Sequence, residues 1–271
     1  MSDTVLVSID DRIATVTLNR PHRANAWTGR MYAEYKRALA VLDADDDVRV
    51  IIVTGAGNAF CVGGDSEALA GHAERGGYDG GESTTVANPG TNGAPHLDAD
   101  IIFQLGISKP IVAAVNGACA GVALALVLWS DIRFVSATAK LTTAAPKLGL
   151  PAEFGTSWIL PRIVGTTRAN DLLLSGRVFT GDETRDWGLW NGVASDGPAT
   201  LEMAKEWARS LVRNAGPNAV RMTKGQIVRD LLRHDIAASV RESMELLDGA
   251  TTTAEYREGV AALREKRQPN F

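Results

Sequence analysis

Cysteine and histidine are scarce in this chain, and neither sign of charge is in large excess. Its two cysteines, Cys61 and Cys119, lie in apolar or glycine-rich runs without CxxC spacing. That excludes a disulfide framework or a cysteine zinc site and fits a reducing compartment. The histidines, His22, His72, His96 and His234, are scattered, and the sequence holds neither HExxH nor GxSxG. Metalloenzyme and serine-hydrolase chemistry lose their usual residues, and no metal is expected. Lys plus Arg number 28 and Asp plus Glu 32, a formal charge of −4, with no basic block. Nucleic acid and anionic membrane are therefore not expected as partners. The first residues pass straight into an alternating apolar segment with no basic or apolar leader, so the expectation is a cytoplasmic protein.

One uncharged run is long enough to test as a membrane span. Residues 111–128, IVAAVNGACAGVALALVL, reach the lower length limit. Asn116-Gly117 and Gly121 interrupt them, and Lys109-Pro110 and Asp131-Ile-Arg133 bracket them. A buried β-branched strand, a turn and a buried Ala/Leu helix describe the run better.

Elsewhere, residues 5–19 read as a hairpin around Asp10-Asp11, and residues 28–43 as a helix with Met31, Tyr35, Leu39 and Leu42 on one face. VRVIIVTG (48–55) reads as a parallel-sheet strand buried on both faces. Residues 71–100 hold seven glycines and few large apolar side chains, which predicts an insert without regular structure, a lid or a disordered segment. After 101 come a short helix, the 111–128 run, a strand at 131–138, a turn at 149–151 and helices near 156–164 and 166–174. From 198 to 267 the composition is helical apart from a break at Gly216-Pro217. Strands alternating with helices, then helices alone, describe an α/β core with a helical C-terminal layer.

Three segments carry candidate chemistry. GAGNAFCVGGD (55–65) falls short of a dinucleotide fingerprint, because Phe60 stands where GxGxxG needs its third glycine. It is either a strand-ending turn or a place where Gly63-Gly64 let backbone approach a ligand and present an N–H. NGACAGVA (116–123) is either close helix–sheet packing or a junction whose unpaired N–H groups face a site. Two such donors together make an oxyanion hole. In LGLPAEFGTSWILPR (148–162), Glu153 is either a solvated loop residue or a base. Leu150, Pro151, Phe154 and Trp158 around it would desolvate the carboxylate and raise its pKa.

NRPHRANA (19–26), AGNAFCVGGD (56–65), KPIVAAVNGACAG (109–121), Asp131-Ile-Arg-Phe134 and LGLPAEFGTSWILPRIVG (148–165) together resemble, in order, the crotonase or enoyl-CoA hydratase/isomerase superfamily. The resemblance runs from about residue 5 to 190. It implies an α/β fold, a spiral of ββα units over residues 1–197 with 71–100 as a variable loop. It also implies a helical trimerisation region at 198–271, and a homotrimer or dimer of trimers acting on acyl-CoA thioesters. No cofactor is implied beyond coenzyme A as part of the substrate. Carried over position by position, the oxyanion donors are the N–H groups of Gly64 and Val122. Val122 replaces the usual glycine but keeps the amide. The coenzyme A contacts are Arg23, Ala24, Ala26, Asp65 and Ser66.

The two glutamates of typical hydratases fall on Ala125 and Ala145, and neither can carry a proton. Glu153 stands instead where several Δ3,Δ2-enoyl-CoA isomerases of the superfamily hold a single carboxylate. Moving a double bond needs one base to take a proton from C2 and return it at C4, whereas adding water is helped by two groups. The expectation is an isomerase. The rivals are a hydratase whose second carboxylate is Glu67, Glu74, Glu82 or Asp98, a non-catalytic acyl-CoA carrier, and a nicotinamide-dependent oxidoreductase.

Overall fold

Strands β1 (Val5–Asp10) and β2 (Ile13–Leu18) form an antiparallel hairpin, and Asp11 and Arg12 turn it with positive φ of 46° and 62°. In the computed structural model, which describes residues 3–76, 81–90 and 97–271, β2 then starts a parallel run. It pairs with β3 (Val50–Gly55), β3 with β5 (Ile111–Val115), β5 with β7 (Ile132–Ser136), and β7 with β10 (Gly192–Ala194). The order of this six-stranded sheet is β1-β2-β3-β5-β7-β10. Its alternating faces explain the unbroken apolar strands: Ile51 and Val53 of β3 enter the main core, and Val50 and Ile52 face a second cluster closed by Ala204 and Ala208.

A second sheet of four very short strands was not anticipated from the sequence. It comprises β4 (Ala59–Cys61), β6 (Ala118–Ala120), β8 (Lys140–Thr142) and β9 (Phe179–Thr180), in the order β4-β6-β8-β9. Strands β3, β5 and β7 of the first sheet are each followed by a short strand of the second and then a helix. β3 and β4 lead to α2 (Ser66–Arg75), and β5 and β6 lead to α3 (Val122–Leu128). β7 and β8 lead to a short 3-10 turn and then α4 (Thr156–Val164) and α5 (Thr166–Ser175). This is the expected ββα spiral. The 111–128 run resolves as β5, β6 and α3, and no helix among the described residues is long and apolar enough to cross a membrane.

Helix α1 (Gly29–Ala44) starts where Thr28 Oγ1 accepts from the Met31 N–H at 3.1 Å, and it buries Met31, Tyr35, Leu39 and Leu42 as predicted. The expectation of an unstructured 71–100 is corrected at its start. α2 continues to Arg75, capped by the Asp65 carboxylate and closed by Gly76 at φ 70°. A 3-10 turn follows at Gly81–Thr85. α2 buries no residue, so it carries no apolar periodicity to read. Residues 77–80 and 91–96 of that segment lie outside the described residues.

The C-terminal helices are α6 (Gly197–Asn214), α7 (Pro217–Asp230), α8 (Ile236–Thr251) and α9 (Ala254–Glu265). α6 lies on the sheet through Ala204 and Ala208. α7 is tied down by Lys224, whose ammonium reaches Asp131 Oδ2 at 2.7 Å and the Lys109 carbonyl at 3.0 Å. α8 buries nothing, and it exposes Ile236, Val240, Met244 and Leu247.

Candidate active site

Two backbone turns, one after each short strand, approach one another. Gly63 follows β4 with φ +90°, and Gly121 follows β6 with φ +52°. Both values favour glycine. A Cβ built on Gly121 would lie 4.0 Å from the Gly63 Cα, and one on Gly63 would meet the Ala120 carbonyl at 3.0 Å, so the turns pack backbone to backbone. The groups around Gly64 are fixed: Trp27 N–H donates to the Gly63 carbonyl at 2.7 Å and Asp65 N–H to the Trp27 carbonyl at 2.9 Å. Among the described residues, neither the Gly64 N–H nor the Val122 N–H donates to a backbone carbonyl. Val122 is the first residue of α3, where an amide has no intrahelical acceptor.

Both residues line one chamber of about 140 Å³, and Glu153 lines it too. The structure therefore brings together the three residues assigned from the sequence. The Glu153 loop is held from outside. Thr156 donates to the Glu153 carbonyl through its N–H at 3.0 Å and its Oγ1 at 2.8 Å. Trp129 Nε1 donates to the Phe154 carbonyl at 2.8 Å, bracing Phe154 at a left-handed φ of 49°. Burial raises the Glu153 pKa above that of an ordinary glutamate, since the charged form is partly desolvated. Leu150, Phe154 and Trp158 do line its surroundings, but Pro151 is exposed.

The positions assigned to coenzyme A form one cluster beside Gly64. Asp65 is buried, and its carboxylate accepts from Arg20 at 2.9 Å, Arg23 at 3.1 Å and the Glu67 N–H at 3.0 Å. Burial alone would raise its pKa, but the bonds from Arg20, the Glu67 amide and Arg23 outweigh it and hold the carboxyl below the usual range. Arg23 remains more than one-third exposed and also reaches Ser66 Oγ at 3.2 Å. The Ala24 carbonyl accepts from the Val62 N–H at 3.3 Å, and the Ala26 carbonyl from Arg20 at 2.5 Å. Asn25 braces the same loop by donating to the Ala56 and Ala59 carbonyls.

Of the two alanines at hydratase glutamate positions, Ala145 lines the chamber and Ala125 is buried in α3. Glu67, Glu74, Glu82 and Asp98 are exposed and line none of the cavities that Glu153 borders; Glu67 pairs with Arg23 and Asp98 accepts from Asn88. Sequence reasoning missed His72 and Trp129. His72 lines the chamber from α2, and it was dismissed as scattered because α2 itself was not visible. Trp129 reaches the loop across the fold, 25 positions away in sequence, and no local signal marks it. Cys61 and Cys119 are free and buried side by side in β4 and β6, and burial raises both thiols, Cys61 to about 12.

Known proteins are similar to this chain over nearly its full length. The 1,2-epoxyphenylacetyl-CoA isomerase of Escherichia coli strain K12 is 31% identical, with 100% of this chain and 99% of that protein aligned. The mevalonyl-coenzyme A hydratase of Beauveria bassiana is 31% identical over 98% of this chain and 94% of that protein. The crystal structure of an enoyl-CoA hydratase from Bacillus anthracis superposes with a TM-score of 0.84 at 27% identity, covering 99% of this chain and 98% of that one. The enoyl-CoA hydratase/isomerase family model matches residues 8–271. With the ββα spiral and the paired turns already in place, the chain belongs to the enoyl-CoA hydratase/isomerase family.

Proposed function

We propose that the protein isomerises 3-enoyl-CoA thioesters to 2-enoyl-CoA, with Glu153 as the single base and the Gly64 and Val122 N–H groups as the oxyanion hole. The carrying observation is that Glu153 is the one carboxylate on the chamber wall among the described residues, and the chamber is also lined by two residues whose amides have no backbone acceptor. The Glu153 carboxylate takes a proton from C2, and the C2–H electrons pass into the thioester carbonyl to give an enolate. The two amides stabilise the enolate oxygen. The enolate collapses as Glu153 returns the proton to C4, and the double bond ends between C2 and C3, with no proton or electron gained or lost. Arg23, partly exposed in the cluster next to Gly64, would meet the phosphates of coenzyme A.

Glu153→Gln keeps the shape of the side chain but removes the base, so turnover of 3-enoyl-CoA should fall by about 10²-fold or more. Binding of a saturated acyl-CoA should change little. Unaltered turnover would remove Glu153 from the chemistry.

Hydration of 2-enoyl-CoA is the second reading, favoured by His72. Its place on the chamber wall supplies the second proton-carrying group that the variable-loop carboxylates do not. If hydration dominates, His72→Ala should abolish it more than it slows isomerisation.

A further inference from the structure

We infer that the acyl group taken by this site is large and apolar, of decanoyl size or greater, and lies in a second cavity beyond Glu153. The inference rests on the acyl-CoA reading above and extends it to the substrate class. The chamber that holds Gly64 and Val122 measures about 140 Å³. Glu153, Phe154, Leu148, Leu150, Leu69 and His72 border this chamber and also a cavity of about 1110 Å³, so the two spaces meet at the base. A cavity of that size is at or above the usual range of small-molecule sites.

The walls of the large cavity are apolar and built from fixed elements. On one side Trp129 and Trp158 stack with centroids 5.7 Å apart and an interplanar angle of 21°, and Arg162 lies over the Trp158 ring at 3.8 Å. On another side Val228 comes from the last turn of α7, the helix that Lys224 anchors to Asp131, and Leu231 and Leu232 from the residues just after it. The ionisable side chains on its described wall are His72, Asp100 and Glu153, and Asp100 already accepts from Tyr32 Oη at 3.2 Å. A short acyl group would leave this apolar space facing water, whereas a long or multi-ring one would fill it from the reacting carbons outward.

The test uses saturated acyl-CoAs, which bind without reacting. Titration calorimetry of the intact protein with butanoyl-, hexanoyl-, decanoyl- and dodecanoyl-CoA, each below its self-association concentration, reads the cavity directly. Affinity should climb along the series, by about 10²-fold from hexanoyl- to dodecanoyl-CoA. Ala99→Trp and Leu231→Trp place a ring in the cavity from exposed positions outside the catalytic chamber. Each should erase most of that gain and leave hexanoyl-CoA binding unchanged. Hexanoyl-CoA binding as tightly as dodecanoyl-CoA would overturn the substrate class while leaving the isomerase reading intact. So would tryptophan variants that leave the series unchanged and alter only the oligomeric state, since the cavity would then be a groove between subunits. If no acyl-CoA binds at all, the acyl-CoA reading itself fails.

Discussion

Val122→Pro is the sharpest way to remove one proposed oxyanion donor without removing a side chain that does chemistry. Proline lacks the N–H and fixes φ near the helical value. At the first position of a helix both properties are tolerated, because the amide there has no intrahelical acceptor. Val122 occupies that position in α3, and its amide donates to no backbone carbonyl among the described residues. The side chain is 9% exposed, so replacing it changes packing modestly, and Val122→Ala controls for that loss. Losing one oxyanion donor costs on the order of 10²–10³-fold in turnover, about 3–4 kcal/mol of transition-state stabilisation. The assay is steady-state isomerisation of 3-enoyl-CoA alongside thermal melts of both variants. Val122→Pro should melt close to Val122→Ala while losing at least 10²-fold more turnover. A folded proline variant as active as the alanine variant would refute the donor role.

Other consequences follow from the charges and surfaces. Asp65→Asn should strip the Arg20 and Arg23 pairing from a buried carboxylate and lower the melting temperature by roughly 5–12 °C, for a loss of about 2–4 kcal/mol. The wild type should itself lose stability as pH falls through the depressed Asp65 pKa, since that contribution exists only while the carboxylate is ionised, and acid titration of both proteins by circular dichroism checks this. Glu153 has the opposite sign. Its raised pKa means that ionisation opposes folding as pH rises, so Glu153→Gln should be at least as stable as wild type at neutral pH, read by thermal melts. Wild-type turnover should fall with acid at a pH above that of an ordinary glutamate, because only the carboxylate is a base. The exposed Val240, Met244 and Leu247 of α8 should be covered in a trimer or a multiple of it, and light scattering showing a monomer at micromolar concentration would contradict this.

What could be read in advance depended on how local each signal was. VIIVTG is apolar on both faces because each face meets a separate core, and its short unbroken β-branched run conveys that. The turns at Gly63 and Gly121 were visible as glycines, and their meeting followed from family order rather than from spacing. The second sheet was invisible because strands of two or three residues have no period to detect. Helix α2 was hidden because it buries nothing and rests on its Asp65 and Gly76 caps. The Trp129 anchor depends on a contact between distant segments, which no window along the chain contains. Pro151 was misjudged as shielding because a residue two positions from Glu153 in sequence can still be exposed to solvent.

The central claim, one base moving a double bond, is tested most directly by giving purified protein 3-enoyl-CoA and 2-enoyl-CoA separately and following the products by mass and chromatography. The account predicts that 3-enoyl-CoA converts to 2-enoyl-CoA at unchanged mass, faster than 2-enoyl-CoA gains one water. Hydration much faster than isomerisation would contradict it.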